Sequence, residues 1–492
     1  MYKRQLYDLK EIEPHDGKDV VTTLDVDLQD ITETALMRGV RHHKAKHGCV
    51  VLMEVKTGAI KAIANVGESK DGYWETYNYA VGSATEPGST FKLASIMALL
   101  EDGYVKLTDS IDLEQGVTQF YEEEMKDASF HELDTTTIRN AFEISSNVGI
   151  AKLVNHFYGR NDRGKKFIDR LKSFGLNLPT GIKIEGEATP YIKEAYSRDD
   201  HWSGTTLPWM STGYELTMTP LQMLSLYNTV ANDGVMMKPY LVDEIQEYGN
   251  TIEKFRPTII KKKIASPRTI NQAQSLLKGV VERGTAKKLF TEKYSFAGKT
   301  GTAQLNYQKL QARTDVGGYQ ASFAGYFPAE KPVYSLIVLI SNPTENGFYG
   351  GSVAGPIFRE IADKMFASRP ELQSALTDYS KPVLAKNSLP KRTSGESTEI
   401  EGLLNYFDVE YKKSTRSAWT SVMMDVDTLK TYTRRIESEK VPNVTGMGLK
   451  DALFVLENLG LTVTVNGYGK VRRQSIKPGT KIRGQRIKIT LG

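Results

Sequence analysis

The placement of two hydrophobic periodicities constrains this chain more than any other feature. Residues 50–55 and 60–64 are apolar or β-branched and are joined across Lys56-Thr57-Gly58, where the glycine supplies a hairpin turn. Residues 294–304, 319–327 and 333–341 are closely spaced apolar or alternating runs that predict an antiparallel meander. Helical spacing fills the interval, over 93–100, 136–156 and 221–230, the last opened by Thr219 as N-cap and Pro220 at the first helical position. A strand over 20–23, a helix over 27–46 carrying Leu28, Ile31, Ala35 and Leu36, and a closing helix over 355–366 complete the set. Strands at both ends with helices between them imply an α+β fold: one antiparallel sheet assembled from both ends of the domain, with a helical lobe beside it.

At 492 residues the chain exceeds what one core usually supports, so additions to this domain are expected. Polar breakers at Ser380-Lys381-Pro382, Ser388-Leu389-Pro390 and Thr393-Ser394-Gly395 mark 369–440 as a linker. Order returns over 441–492, with a helix over 449–459 and strands ending at Leu491. The expected organisation is 1–18 outside the fold, 19–368 the main domain, 369–440 the linker and 441–492 a small module. A composition of 40% hydrophobic and 25% charged residues excludes a disordered, collagen-like or membrane-bundle chain. No run of about 18 apolar residues occurs, so neither a bilayer span nor a signal peptide is read here, and an export segment is expected to be missing ahead of Met1.

The net charge of +5 is uneven: 441–492 holds nine Lys/Arg against Asp451 and Glu457, a balance of +7, which leaves the rest of the chain at −2. The tail reads either as a solvated face or as a surface for an anionic polymer or a membrane. Without interleaved aromatics it does not read as a nucleic-acid site. Cys49 lies in the apolar run Cys49-Val50-Val51-Leu52-Met53 and behaves as a small buried hydrophobe, and one cysteine makes no internal disulfide framework. The histidines show no metal-ligand spacing, His42-His43 and His47 falling in a basic helical stretch, so neither metal nor cofactor is expected.

Chemistry concentrates in three short elements. In Glu86-Pro87-Gly88-Ser89-Thr90-Phe91-Lys92, continued by Leu93, Ile96, Met97 and Leu100 as an amphipathic helix, Ser89 and Lys92 stand one turn apart on one face, so the lysine can reach the hydroxyl. A serine is a poor nucleophile until a base removes its proton. A lysine serves as that base only when burial, a second cation or the positive end of a helix holds it partly neutral. Ser145-Ser146-Asn147, in a stretch of helical spacing over 142–153, supplies a hydroxyl and a carboxamide that can relay a proton and grip a peptide amide. Alone it would read as a polar turn. Gly298-Lys299-Thr300-Gly301-Thr302 falls on a strand, where glycine admits a close backbone and Lys299, Thr300 and Thr302 can hold a carboxylate. The second copy of the tripeptide, Lys56-Thr57-Gly58, reads as structural.

In this order, Ser-x-x-Lys, Ser-x-Asn and Lys-Thr-Gly resemble the signature of the penicillin-recognising serine enzymes. Over 19–366 the chain resembles class B penicillin-binding proteins. Beyond the three motifs, the likeness rests on Thr22-Thr23-Leu24-Asp25 with Leu28-Gln29, Ser146-Asn147-Val148-Gly149, Thr180-Gly181-Ile182, Thr219-Pro220-Leu221-Gln222, Gly284-Thr285-Ala286, Ser322-Phe323-Ala324-Gly325 and Tyr349-Gly350-Gly351 with Pro356. The tail resembles a PASTA module through Val441-Pro442-Asn443-Val444, Gly446-Met447, Ala452, Leu456, Gly460-Leu461, Val471, Gln474, Pro478-Gly479-Thr480 and Gly484.

The resemblance implies a penicillin-binding transpeptidase (serine β-lactamase-like) fold, a small α/β PASTA module, and 1–18 as the remnant of an N-terminal pedestal. It implies a serine D,D-transpeptidase that cross-links peptidoglycan stem peptides ending in D-Ala-D-Ala, in septal wall synthesis. In that scheme Ser89 attacks the penultimate D-Ala carbonyl, Lys92 takes its proton and Ser145 relays it to the leaving D-Ala. Asn147 positions the donor, Lys299, Thr300, Gly301 and Thr302 bind its carboxylate, and the N–H groups of Ser89 and Thr302 form the oxyanion hole. The implied partners are stem peptides, β-lactams and divisome or other wall-synthesis proteins. The implied place is the periplasmic face of the cytoplasmic membrane, with anchoring through a segment not in this sequence.

Three rivals share parts of this apparatus. A serine β-lactamase needs an added deacylating base, and Glu185 and Glu187 follow Asn147 without a Glu-x-x-x-Asn pattern. A D,D-carboxypeptidase differs only in its acceptor. A non-catalytic β-lactam or wall sensor shares the fold, and the intact nucleophile, base and carboxylate-binding residues argue against silence, although not against a protein that stays acylated.

Overall fold

The computed structural model describes residues 17–128, 133–305, 317–369, 372, 392–407, 409–413, 418–425, 428–433 and 436–492. Two compact units divide the chain, Met1–Gln373 and Ser374–Gly492. Residues 1–16, within the stretch expected to lie outside the fold, are not among those described, and neither are the linker breakers at 380–382 and 388–390.

The first unit is built on a six-stranded sheet of β1 (His47–Glu54), β2 (Ile60–Ser69), β3 (Gly72–Trp74), β4 (Ala297–Gln304), β5 (Tyr319–Phe327) and β6 (Tyr334–Ser341). Every pairing is antiparallel, in the order β4-β5-β6-β1-β2-β3. The two ends of the unit meet where β6 pairs with β1, Val338 opposite Val50 and Leu336 opposite Leu52. Every position on β6 is buried, so the sheet is covered on both faces there. The helices are α1 (Val26–His42), α2 (Lys92–Glu101), α3 (Asn147–Tyr158), α4 (Pro220–Ala231), α5 (Pro267–Glu282) and α6 (Ala354–Ser368).

On one sheet face α1 packs with α6, where the rings of Phe323 and Phe358 stand 4.6 Å apart. Gln29 ties α1 to the strands by exchanging two bonds of 2.9 Å with the backbone of Ile63. The other face takes α4, to which Ser335 Oγ donates at Asn228 Oδ1 over 2.7 Å. A capping box between Thr219 and Gln222, with Pro220 at the first position, starts α4, a device worth about 1 kcal/mol. All of its residues are buried, making it the spine between sheet and lobe. Cys49 is buried on β1, where burial pushes its thiol up, so it serves packing.

The second unit corrects the expectation of a linker. Residues 392–433 carry β7 (Arg392–Glu396), α7 (Ser397–Tyr406), β8 (Tyr411–Lys412), β9 (Trp419–Asp425) and β10 (Thr428–Thr433), in the sheet order β7-β9-β10-β8. Thr393-Ser394-Gly395, read as a breaker, lies on β7. The strands escaped notice because their buried positions are largely polar, Thr420, Ser421 and Thr431 beside Val422 and Leu429, so the alternation of apolar residues is faint.

The following module holds α8 (Leu449–Asn458), β11 (Thr462–Asn466), β12 (Val471–Gln474) and β13 (Arg486–Leu491), with α8 packed over Ile487, Ile489 and Leu491. Both modules have the same connectivity. A helix leads to three strands, of which the first is parallel and the second antiparallel to the third. Trp419 of the first packs on the core of the second, its ring 6.4 Å from Phe454.

Candidate active site

Ser89 lies in the single 3-10 turn Gly88–Phe91, which runs directly into α2 at Lys92. Three bonds hold the turn: Gly88 N donates to Gly213 O (3.1 Å), Thr90 Oγ1 to Pro87 O (2.9 Å) and the buried Tyr227 hydroxyl of α4 to Thr90 O (2.8 Å). Gly88 has φ +57°, and a Cβ there would lie 3.0 Å from Thr302 O of β4. Glycine therefore lets the Ser89 turn lie along the edge strand.

Lys92 is fully buried. Its ammonium donates to Ser145 O (2.6 Å), Asn147 Oδ1 (2.6 Å) and Ser145 Oγ (3.3 Å), so its bonds join the first motif to the second rather than going to Ser89. Burial pulls its pKa down to about 7, against the Asp127 carboxylate, which raises it. A lysine so placed is partly neutral near pH 7 and can accept a proton.

The second motif does not lie inside a helix, as its spacing suggests. Ser145 and Ser146 occupy the break between helix Ile138–Glu143 and α3, with Asn147 as the first residue of α3, because Ser145 adopts φ +64°, which costs an L-residue on the order of 1 kcal/mol and ends the helical run. The Lys92 bond to the Ser145 carbonyl supports that turn, and Ser146 caps α3 by accepting from Gly149 N at 2.9 Å. Asp127, just past the hairpin Val117–Phe120/Glu123–Lys126, accepts from Asn147 N (2.5 Å) and Val148 N (2.9 Å). Asn147 Nδ2 donates to Lys126 O at 2.7 Å.

The third motif is on β4, the sheet's edge strand. Lys299 is fully buried, its ammonium donating to Thr300 O (3.2 Å) and lying 5.8 Å from the Phe142 ring. Burial first, and the charge of Lys92 second, hold it well below the usual lysine range. Thr300 and Thr285 share a hydroxyl bond of 2.7 Å, and Thr302 Oγ1 accepts from Gly350 N at 3.0 Å. A Cβ on Gly301 would lie 2.2 Å from Ser322 Oγ, so only glycine allows this packing unchanged.

Ser89, Ser145, Asn147, Thr300 and Thr302 line one cleft of about 1290 Å3, with Lys92, Lys299 and Gly301 buried next to them. The cleft also takes in residues that no motif announced. Asp127 is the single carboxylate among the described lining residues, Tyr214 accepts from Gln304 N at 3.2 Å, and Tyr319 and Phe348 stack at 4.3 Å. Glu185 and Glu187 do not line it, and Glu187 is occupied by Thr180 and the Gly181 N–H in its own turn.

The penicillin binding protein transpeptidase domain family matches residues 48–363, and the PASTA domain family matches 439–492. The chain belongs to the penicillin-binding protein transpeptidase family. It is 31% identical over 366 residues to penicillin-binding protein PbpB of Mycolicibacterium smegmatis, covering 70% of this chain and 54% of that one. Stage V sporulation protein D of Bacillus subtilis is 27% identical over 500 residues, covering 97% of this chain and 66% of that one. Penicillin binding protein 3 of Mycobacterium tuberculosis complexed with aztreonam superposes with a TM-score of 0.62 at 28% identity, covering 73% of this chain and 81% of that structure. This chain thus spans about half the length of the PbpB relative.

Proposed function

We propose that this protein is a serine D,D-transpeptidase that joins peptidoglycan stem peptides through an acyl-enzyme on Ser89. The observation that carries the reading is Lys92: fully buried, its pKa near 7, one turn from Ser89 and bonded to Ser145 and Asn147. Ser89 Oγ adds to the carbonyl of the penultimate D-Ala while its proton passes to Lys92. Ser145 passes a proton to the departing D-Ala amine and regains one from Lys92, whose ammonium donates to its Oγ, and the peptide bond breaks. An amine of a second stem peptide then adds to the ester, its proton passes by way of Lys92 to Ser89 Oγ, and the ester bond breaks to release Ser89.

The edge of β4 offers main-chain groups to an extended peptide. Lys299, Thr300, Gly301 and Thr302 hold the donor's terminal carboxylate, Asn147 orients its amide, and the N–H groups of Ser89 and Thr302 stabilise the oxyanion. β-Lactams acylate the same serine. The mycobacterial relative solved with aztreonam supports this, as does Asp127, whose Oδ1 already accepts two N–H bonds and is poorly placed to drive deacylation.

In this reading 19–368 is the catalytic domain and 441–492 a wall-associated module whose net charge favours anionic surfaces. The setting is septal wall synthesis outside the cytoplasmic membrane, beside other wall-synthesis proteins. Among the described residues no helix is long and apolar enough to cross a membrane.

A donor peptide ending in D-Ala-D-Ala, incubated with a peptide amine acceptor, tests the reading. Release of D-Ala with formation of the amide-linked product supports a transpeptidase. Release of D-Ala with the free acid alone assigns a D,D-carboxypeptidase, and neither product assigns a sensor.

A further inference from the structure

The second motif is held in shape by a piece of chain that carries no motif. At the start of α3 three consecutive N–H groups need acceptors. Ser146 Oγ takes that of Gly149, and Asp127 Oδ1 takes those of Asn147 and Val148, at 2.5 and 2.9 Å. The Asp127 backbone is itself fixed, its N–H donating to Gly116 O at 2.8 Å. The preceding residue completes the grip: Lys126 O takes Asn147 Nδ2, which turns Asn147 Oδ1 toward the Lys92 ammonium. Across the cleft, the Tyr349 hydroxyl donates to Ala128 O at 3.1 Å.

We propose that Asp127 is a positioning residue for the acylation step: it sets the place of Ser145 and Asn147 through the start of α3, and it sets its charge beside the Lys92 site through Asn147, which both groups hold. The assignment rests on the reading of Ser89 as the acylated serine. Asp127 stands at the positive end of α3, where an anion is favoured. Two charges from neighbouring elements act on the Lys92 site. The Asp127 carboxylate favours the ammonium, and Lys299 of β4 couples to Lys92 as a like charge. Arg283 also lines the cleft, with its guanidinium paired to Glu143.

The two functions separate in two substitutions. D127N keeps an oxygen for the two N–H groups and removes the charge, whereas D127A removes both. The experiment follows acylation by a fluorescent penicillin from pH 5.5 to 9 in wild type and both variants, with thermal melts as folding controls. Loss of the negative charge makes Lys92 easier to deprotonate, so the rising limb moves to lower pH, by on the order of half a unit, in both variants. D127N should hold its plateau within about threefold, and D127A should lose about tenfold or more through misplacement of Ser145 and Asn147.

A limb that stays put in D127N overturns the electrostatic part. Equal plateaus in D127N and D127A overturn the positioning part. Should wild type acquire no label at Ser89, the enzymatic reading itself fails, which a shifted or unshifted limb does not test.

Discussion

Lys-Thr-Gly occurs twice in this molecule, and the two copies share nothing but their letters. Lys56-Thr57-Gly58 turns between β1 and β2. There Gly58 has φ +79° and Thr57 closes the turn by donating to Glu54 and accepting from Ala59 N at 3.1 Å. Lys56 is two-thirds exposed and stands 3.7 Å from an equally exposed Asp233. Lys299-Thr300-Gly301 lies on the edge strand of the same sheet, its lysine fully buried and its second residue lining the cleft. Gly58 is needed for its backbone angle, Gly301 for the space its missing Cβ leaves beside Ser322. Position relative to the Ser89 turn, not the tripeptide, makes the second copy chemical.

Substitutions can break that contrast. The largest effect is expected from K299M, which removes the cation but keeps an unbranched apolar stem. Second-order acylation by a penicillin should fall about 100-fold or more, as measured by stopped assays. Because an unpaired buried charge is costly, the melting temperature should hold or rise. K56M should do neither.

The next effect is on pH. A lysine acts as a base only when neutral, and burial pulls the pKa of Lys92 down to about 7, so in the proposed mechanism acylation should be suppressed below that value and level off above it. Rates should drop about tenfold per unit well below pH 7. A K56A enzyme should show the same limb, since the exposed lysine plays no part in it.

The glycines should fail in different ways. G301A forces Ser322 or Thr90 aside next to Ser89 and should lower acylation about tenfold with a smaller change in stability. G58A sets an alanine at φ +79° against Lys238 O, 2.7 Å away, and should cost about 1 kcal/mol or more while leaving acylation per folded molecule unchanged. In a domain of this size that is about 1–2 °C in melting temperature. The smallest effect is that of K56A on stability, within about 0.5 kcal/mol, because an exposed ion pair contributes little.

Much of this was legible in the sequence. Strand and helix periods placed the sheet from both ends of the first unit. Ser89 and Lys92 were readable because helical geometry ties two positions three apart, and Lys299 to Thr302 because their tripeptide falls within a run that reads as strand. What escaped has no period. Asp127 acts from an irregular loop after a short hairpin, and its partners are backbone N–H groups of α3, which the sequence does not mark. The break at Ser145 was hidden because apolar spacing continues across it, while a left-handed serine depends on bonds from Lys92, 53 positions away. The module over 392–433 has a faint sequence signature because its strands bury threonines and serines.

In the proposed mechanism Ser89 forms the covalent intermediate. Intact mass followed over hours after addition of a penicillin at pH 8, with S89A in parallel, tests it most directly. One adduct of the drug's mass is expected on wild type, slow to disappear, and none on S89A. An adduct on S89A, no adduct on wild type, or rapid loss of the adduct with hydrolysis of the drug would contradict it.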